Sequence, residues 1–430
     1  HHDAISDCQV CKKGQWSDVG SQTCTKCVAG KFLFELGIES VGHNSIDKCV
    51  ICPAGKWALE DADKCEVCPA GMYLDDDGAS ASNHVSISSC KVCAKGKWAL
   101  EGTKLCHNCD AGRYLADDAS DASKHDEHND CQVCSSGMHA EGVSNHECTN
   151  CEAGRYLIDH AQNETLHDVS SIDCIICSAG QHSESGATEC IACASGKYLT
   201  DDGENADAHD AISDCTICAV GQWSSISAAV CVDCAAGRYI GDAGADASKH
   251  DSILDCTICA SGQYSHKGSA ACINCDAGKY IVDDGNDVTK HNKIEDCKVC
   301  RYGQHSAQGA TVCTNCGAGK YIEDDAVDAA QHDSISDCTI CASGKYSYAG
   351  YKTCVNCKAG TFLTDNGATI ANHDSIDDCN VCTSGQWSGA GATVCTGCAA
   401  GTFITDNGDK KHHHDAISDC QVCKKGQWSD

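Results

Sequence analysis

Residues 338–379 read CTICASGKYSYAGYKTCVNCKAGTFLTDNGATIANHDSIDDC, and the way cysteine punctuates this stretch decides the fold. Cys338-x2-Cys341 opens a loop that carries Gly344 and Tyr346 and ends at Cys354-x2-Cys357. A second, longer loop carries Gly360 and Phe362 and ends at Cys379. A glycine three residues after a cysteine allows the positive φ of a tight turn, and a ring two residues later can lie over a sulfur bridge. Each loop is therefore expected to hold its own miniature core.

Outward from this stretch the same spelling recurs. Quartets of cysteine begin at Cys8 and then at residues 49, 90, 131, 174, 215, 256, 297, 338 and 379, with a step of 41 residues nine times, counting on to Cys420, and 43 once. The repeats are thus 8–48, 49–89, 90–130, 131–173 (divergent, with insertions), 174–214, 215–255, 256–296, 297–337, 338–378 and 379–419. Residues 1–7 end a preceding repeat, and 420–430 open another. Residues 1–18 recur letter for letter as 413–430, so ten small repeats make a larger period of 412, and the chain is expected to continue in both directions. The first-loop ring position holds Trp16, Trp57, Trp98, Trp223 or Trp387, Tyr264 or Tyr346, and in three repeats His139, His182 or His305.

Composition agrees with a stapled chain. Of 430 residues 42 are cysteine and only 5% are aromatic, so local cross-links must replace a large apolar core. A formal charge of −31 repels nucleic acid and anionic membranes, and no apolar run approaches the length of a membrane helix. Cysteine usage of this kind belongs to a secreted, extracellular or cell-surface protein. The expected fold class is small disulfide-rich repeats: short β-hairpins and irregular loops, little helix, stacked as a solenoid-like linear rod in which each unit touches its neighbours.

Three features invite sharper chemistry. A histidine stands six residues before a cysteine at His2, His43, His84, His125, His209, His250, His291, His332, His373 and His414, and seven before Cys174 at His167. It either pairs with an aspartate as a metal ligand or caps a turn through the backbone, and the second reading is favoured. Asp-rich loops such as Asp201-Asp202-Gly203 and Asp324-Asp325 offer oxygen ligands for calcium, against the simpler reading of a solvated acidic surface; the EF-hand spelling is absent and no cofactor is expected. The fourth repeat holds the sequon Asn163-Glu164-Thr165, a candidate glycosylation site. The C-x2-C-x12-C-x2-C spacing also fits a four-cysteine zinc site, but the regular second loop and the sequon argue for bridging. Twenty-one CxxC pairs in series cannot all be redox centres, and no nucleophile with a partnered base stands out, so no enzyme is expected.

The phrase C-x2-G-x-aromatic…C-x2-C-x2-G-x-aromatic…C, as at Cys11, Gly14, Trp16, Cys24, Cys27, Gly30, Phe32 and Cys49, resembles the ephrin-receptor-like cysteine-rich repeat. More distantly it is similar to the modules of tumour necrosis factor receptor ectodomains. The resemblance covers nearly the whole chain, although the additional interleaved bridge of the receptor modules has no cysteine here. It implies pairing of Cys11 with Cys24, Cys27 with Cys49, Cys52 with Cys65, Cys68 with Cys90, Cys93 with Cys106, Cys109 with Cys131 and Cys134 with Cys148. It continues through Cys151 with Cys174, Cys177 with Cys190, Cys193 with Cys215, Cys218 with Cys231, Cys234 with Cys256, Cys259 with Cys272 and Cys275 with Cys297. It ends with Cys300 and Cys313, Cys316 and Cys338, Cys341 and Cys354, Cys357 and Cys379, Cys382 and Cys395, and Cys398 and Cys420. Sequence alone permits other connectivities. Cys8 and Cys423 are left over, and are expected to pair beyond the two ends. Each such closure stabilises the fold by about 3 kcal/mol on the loop-entropy model.

These readings point to a structural protein forming the shaft of an extracellular filament or surface appendage, with neighbouring copies of itself as partner. The alternative is a cell-surface adhesin, antigen or receptor ectodomain in which the repeats act as a stalk.

Overall fold

The computed structural model describes residues 8–35 and 40–429; the segment 1–7, His2 within it, lies outside the described residues. Each repeat is built the same way from short-range instructions. In the second repeat Gly55, at φ +77°, turns the chain so that Lys56–Trp57 pairs antiparallel with Glu66–Val67, with Trp57 opposite Glu66. Gly71, at φ +82°, does the same for Met72–Tyr73 against Lys91–Val92, with Tyr73 opposite Lys91. Twenty such two-stranded antiparallel ribbons occur among the described residues, every strand two residues long. Isolated ribbons of this size are marginal in water, so the cross-links and neighbouring repeats must hold them.

The acidic stretch after the second ribbon leads into two short 3₁₀ helices, Ala81–Asn83 and Ile87–Ser89 in the second repeat. Their starts are legible in the spelling His-Asp-Ser-Ile-Ser-Asp-Cys. In the eighth repeat Ser334 accepts a bond from the Ser336 amide, Asp337 reaches back to accept the Ser334 amide at 2.8 Å, and Cys338 follows as the C-cap. This is a capping box compressed onto one turn. In the divergent fourth repeat the second helix is instead a four-residue α-helical turn, Ser170–Asp173, where the loop carries one residue more. Little helix and many small hairpins in tandem disulfide-bonded repeats of about 41 residues match the expected fold class.

One apolar cluster forms in each of the first nine repeats, where one per loop was expected. Trp57 packs on Cys68, Cys90 and Leu74, the second-loop disulfide and the residue after Tyr73. Tyr264 does the same with Cys275, Cys297 and Ile281. The reason is reach: the first ribbon lies against the second, where Gly55 N–H bonds the Leu74 carbonyl at 3.0 Å. One ring then fills the space between the two hairpins.

The described residues divide into two compact units. One runs to Cys193 and includes Leu199–Cys215; the other comprises Ala194–Tyr198 and the chain from Thr216 onward. Within each, a repeat bonds to the next through the same atoms. In the first unit Gly30 N–H donates to Ala58 O (2.8 Å), Leu33 N–H to Ala62 O (3.1 Å) and Asp61 N–H to Cys27 O (3.0 Å). In the second, Gly278 N–H donates to Ser306 O (2.9 Å) and Gly309 N–H to Cys275 O (2.8 Å). From the fifth repeat on, a buried serine adds a bond across the same junctions, such as Ser306 Oγ to Lys279 O at 3.0 Å. Ala58, Ala99 and Ala140 occupy that position earlier and provide no hydroxyl.

Candidate functional site

Two constellations recur often enough to be functional: the cysteine ladder and a histidine clasp beside it. Twenty disulfides join the second and third cysteine of each quartet, and the fourth to the first of the next. Cys8 and Cys423 have no disulfide partner among the described residues. A four-cysteine zinc arrangement is not what the quartets form, because from the second quartet on the four cysteines are divided among three different bridges.

The clasp is built from the recurrent histidine. His84 is wholly buried; its Nδ1 lies 2.7 Å from the Lys56 carbonyl in the first ribbon, and its Nε2 lies 3.0 Å from Asp76 Oδ1. The pattern repeats at His125 (Lys97, Asp117), His167 (Met138, Asp159), His209 (Gln181, Asp201) and His250 (Gln222, Asp242). It continues at His291 (Gln263, Asp283), His332 (Gln304, Asp324), His373 (Lys345, Asp365) and His414 (Gln386, Asp406). The carbonyl accepts only, and so does a carboxylate. The clasp thus ties the ring to two acceptors at once, a backbone carbonyl at Nδ1 and a side-chain carboxylate at Nε2. The backbone closes the same junction, since Ala58 N–H donates to the His84 carbonyl at 2.9 Å.

The aspartates have a second task. Asp201 accepts the amides of Gly203, Glu204 and Asn205, and Asp324 those of Val327 and Asp328, which folds the acidic loop around the carboxylate. The histidine bond, followed by these amides, holds the Asp201 carboxyl below its ordinary range. For Asp283 the Asp287 amide leads, with the His291 ring and Lys290 assisting, and the value falls to about 2. In the loops considered for calcium one carboxylate, Asp201 or Asp324, therefore turns inward while Asp202 and Asp325 stay exposed, and no group of three or more metal-ligating side chains is disposed around one point among the described residues.

The first repeat departs. His43 keeps its bond to the Gln15 carbonyl at 2.7 Å, but eight residues upstream stands Glu35, and the His43 Nε2 has no partner among the described residues. In the fourth repeat Asn163, the sequon residue, caps the helix Glu164–Leu166 by accepting from the Thr165 amide and hydroxyl. Asp121, Asp246, Asp287 and Asp328 do the same work elsewhere.

Sequence reasoning located the histidines but not their aspartates, although a fixed spacing of eight residues was there to find. It also passed over the buried Leu or Ile after each second-loop ring, such as Leu74 and Ile281. The clasp contains a base and an acid but no nucleophile, and both its faces are occupied by protein.

The chain matches no protein-family model and no curated protein. The bonded repeats speak for themselves: local bridges throughout and no helix, among the described residues, long and apolar enough to cross a membrane. Such a chain belongs to an oxidising compartment, as an extracellular structural or ectodomain protein.

Proposed function

We propose that this chain forms the shaft of an extracellular filament or surface appendage, with copies of itself as its partner. The observation that supports it most is the sameness of the junctions: within each unit the donors and acceptors one repeat presents to the next recur at every step, as at Gly30 with Ala58 and Gly278 with Ser306. A contact that is heterologous and repeats propagates in one direction, which is how a filament grows. Recurrence of the same 18 residues after 412 supports the same reading, since identical surface at a fixed interval suits lateral registration of copies. The shaft carries no enzymatic centre, takes no nucleic acid and inserts in no membrane. The resemblance to ephrin-receptor-like repeats is read as one of architecture, and Asn163 as a glycan attachment point. Electron microscopy of the native material tests the proposal. Fibres with a regular axial repeat are expected; isolated particles with a distinct head would favour an adhesin or receptor stalk and overturn it.

A further inference from the structure

Of the twelve tyrosines, seven are second-loop rings and two, Tyr264 and Tyr346, are first-loop rings. The remaining three, Tyr302, Tyr348 and Tyr351, stand where the other repeats carry Ser, Ala, Leu, Lys and other non-phenolic residues, and all three fall at one place in the second unit. They are exposed to 40%, 41% and 37%. Gly303 packs against the backbone of Gly350 and Tyr351, and Lys352 sits 5.5 Å over the Tyr302 ring, so the three phenols share one surface. Tyr348 and Tyr351 have ring centroids 5.5 Å apart at 77°, and Tyr346 and Tyr348 5.7 Å at 80°. These are the tyrosine–tyrosine ring pairs among the described residues.

A patch used for stacking repeats would recur in every repeat, and this one does not. A sugar ring needs a flat aromatic face to lie on, and rings set near 80° to one another provide none. Two exposed phenols held edge to face within one hairpin are instead disposed to react with each other. We propose that Tyr348 and Tyr351 form a site of oxidative coupling, giving an intrachain dityrosine under a one-electron oxidant such as a peroxidase with hydrogen peroxide. Each phenol gives up one electron and its hydroxyl proton. The two radicals join through ring carbons ortho to oxygen, and each joined carbon then passes its hydrogen to its own oxygen. The pair loses two hydrogens in all, and one hydrogen peroxide takes up the two electrons and two protons to become two waters. Exposed rings turn on the nanosecond scale, fast enough to bring the ortho carbons together. Tyr346 is buried to 6% exposure, and burial pushes its hydroxyl above the ordinary value, so it stands apart from the reaction as the packed ring of its cluster.

The test treats the dilute, disulfide-intact chain with peroxidase and hydrogen peroxide, then reduces it and cuts after lysine. Residues 346–352 (YSYAGYK) emerge as one peptide containing both candidates. The expected result is dityrosine fluorescence and a loss of two hydrogens on that peptide, with a yield that does not change on dilution. Tyr348→Phe and Tyr351→Phe each abolish it, while Tyr302→Phe and Tyr346→Phe retain it. Survival of the product in Tyr351→Phe, cross-linked dimers in place of the intrachain product, or no product while added free tyrosine couples, would overturn the assignment.

Discussion

Replacing Gly71 with alanine places the new Cβ 1.9 Å from the Ala122 carbonyl oxygen, a backbone atom of the following repeat. Ordinary contact begins near 3.4 Å, so the two repeats must part by about 1.5 Å at that point. The residue also sits at φ +82°, which costs an alanine about 1–2 kcal/mol. Parting the repeats breaks the Gly71 N–H to Ala99 O bond of 2.7 Å and the Cys93 N–H to Gly71 O bond of 3.0 Å, at about 1 kcal/mol each. The total is about 3–4 kcal/mol, lost locally at the junction of the second and third repeats. Gly142→Ala is the control: its φ is +71° but a Cβ there meets nothing within 4 Å, so it loses only the backbone term of about 1–2 kcal/mol. Native-state hydrogen exchange read by mass spectrometry distinguishes the two. The amides of residue 71 and Cys93, the donors of the two broken bonds, are expected to lose protection in Gly71→Ala, while amides near Gly142 keep most of theirs in Gly142→Ala. Equal losses in the two variants would mean that the glycines serve only their own turns and that the close approach of repeats contributes nothing.

Acid is expected to open the clasps. The clasp aspartates have folded values below their ordinary 3.8, so their contribution is complete above pH 4 and is lost as pH falls through the folded values, Asp283 at about 2 and Asp76 and Asp406 after it; exchange protection at the first ribbons, followed between pH 5 and pH 2 by about one-unit steps, checks it. His332→Phe leaves the Gln304 carbonyl without its donor and should cost the eighth repeat about 1–3 kcal/mol, read from local exchange around Gln304 and Ser306. Asn163→Asp should leave stability unchanged, because aspartate already caps the same helix in other repeats, and should remove any sugar, which the intact mass reports.

The spelling of Cys, Gly and ring made the hairpins, their order and the period legible, because each is decided within a few residues: Gly55 turns the chain it sits in. What stayed hidden depends on partners in another loop or another repeat. Gly71 reads as a turn residue, yet the turn is half its role, and the atom that forbids a side chain there belongs to residue 122. Trp57 reads as a cover for its own bridge, yet it packs on the second-loop bridge. His84 reads as a turn cap or a ligand. Only the folded second loop shows that Asp76, within the run Asp75-Asp76-Asp77, is the carboxylate that turns inward, while Asp75 bonds Lys91. In a chain whose charges are so numerous, nothing local marks which aspartate is the buried one.

Peptide mapping of the unreduced protein, after alkylation of free thiols, tests most directly whether local bridges replace a common core. The account predicts that every cysteine from Cys11 to Cys420 appears in a peptide joined to its nearest partner, as Cys27 to Cys49 and Cys52 to Cys65. Cysteines joined across distant repeats, or many labelled thiols accompanied by bound zinc, would contradict it.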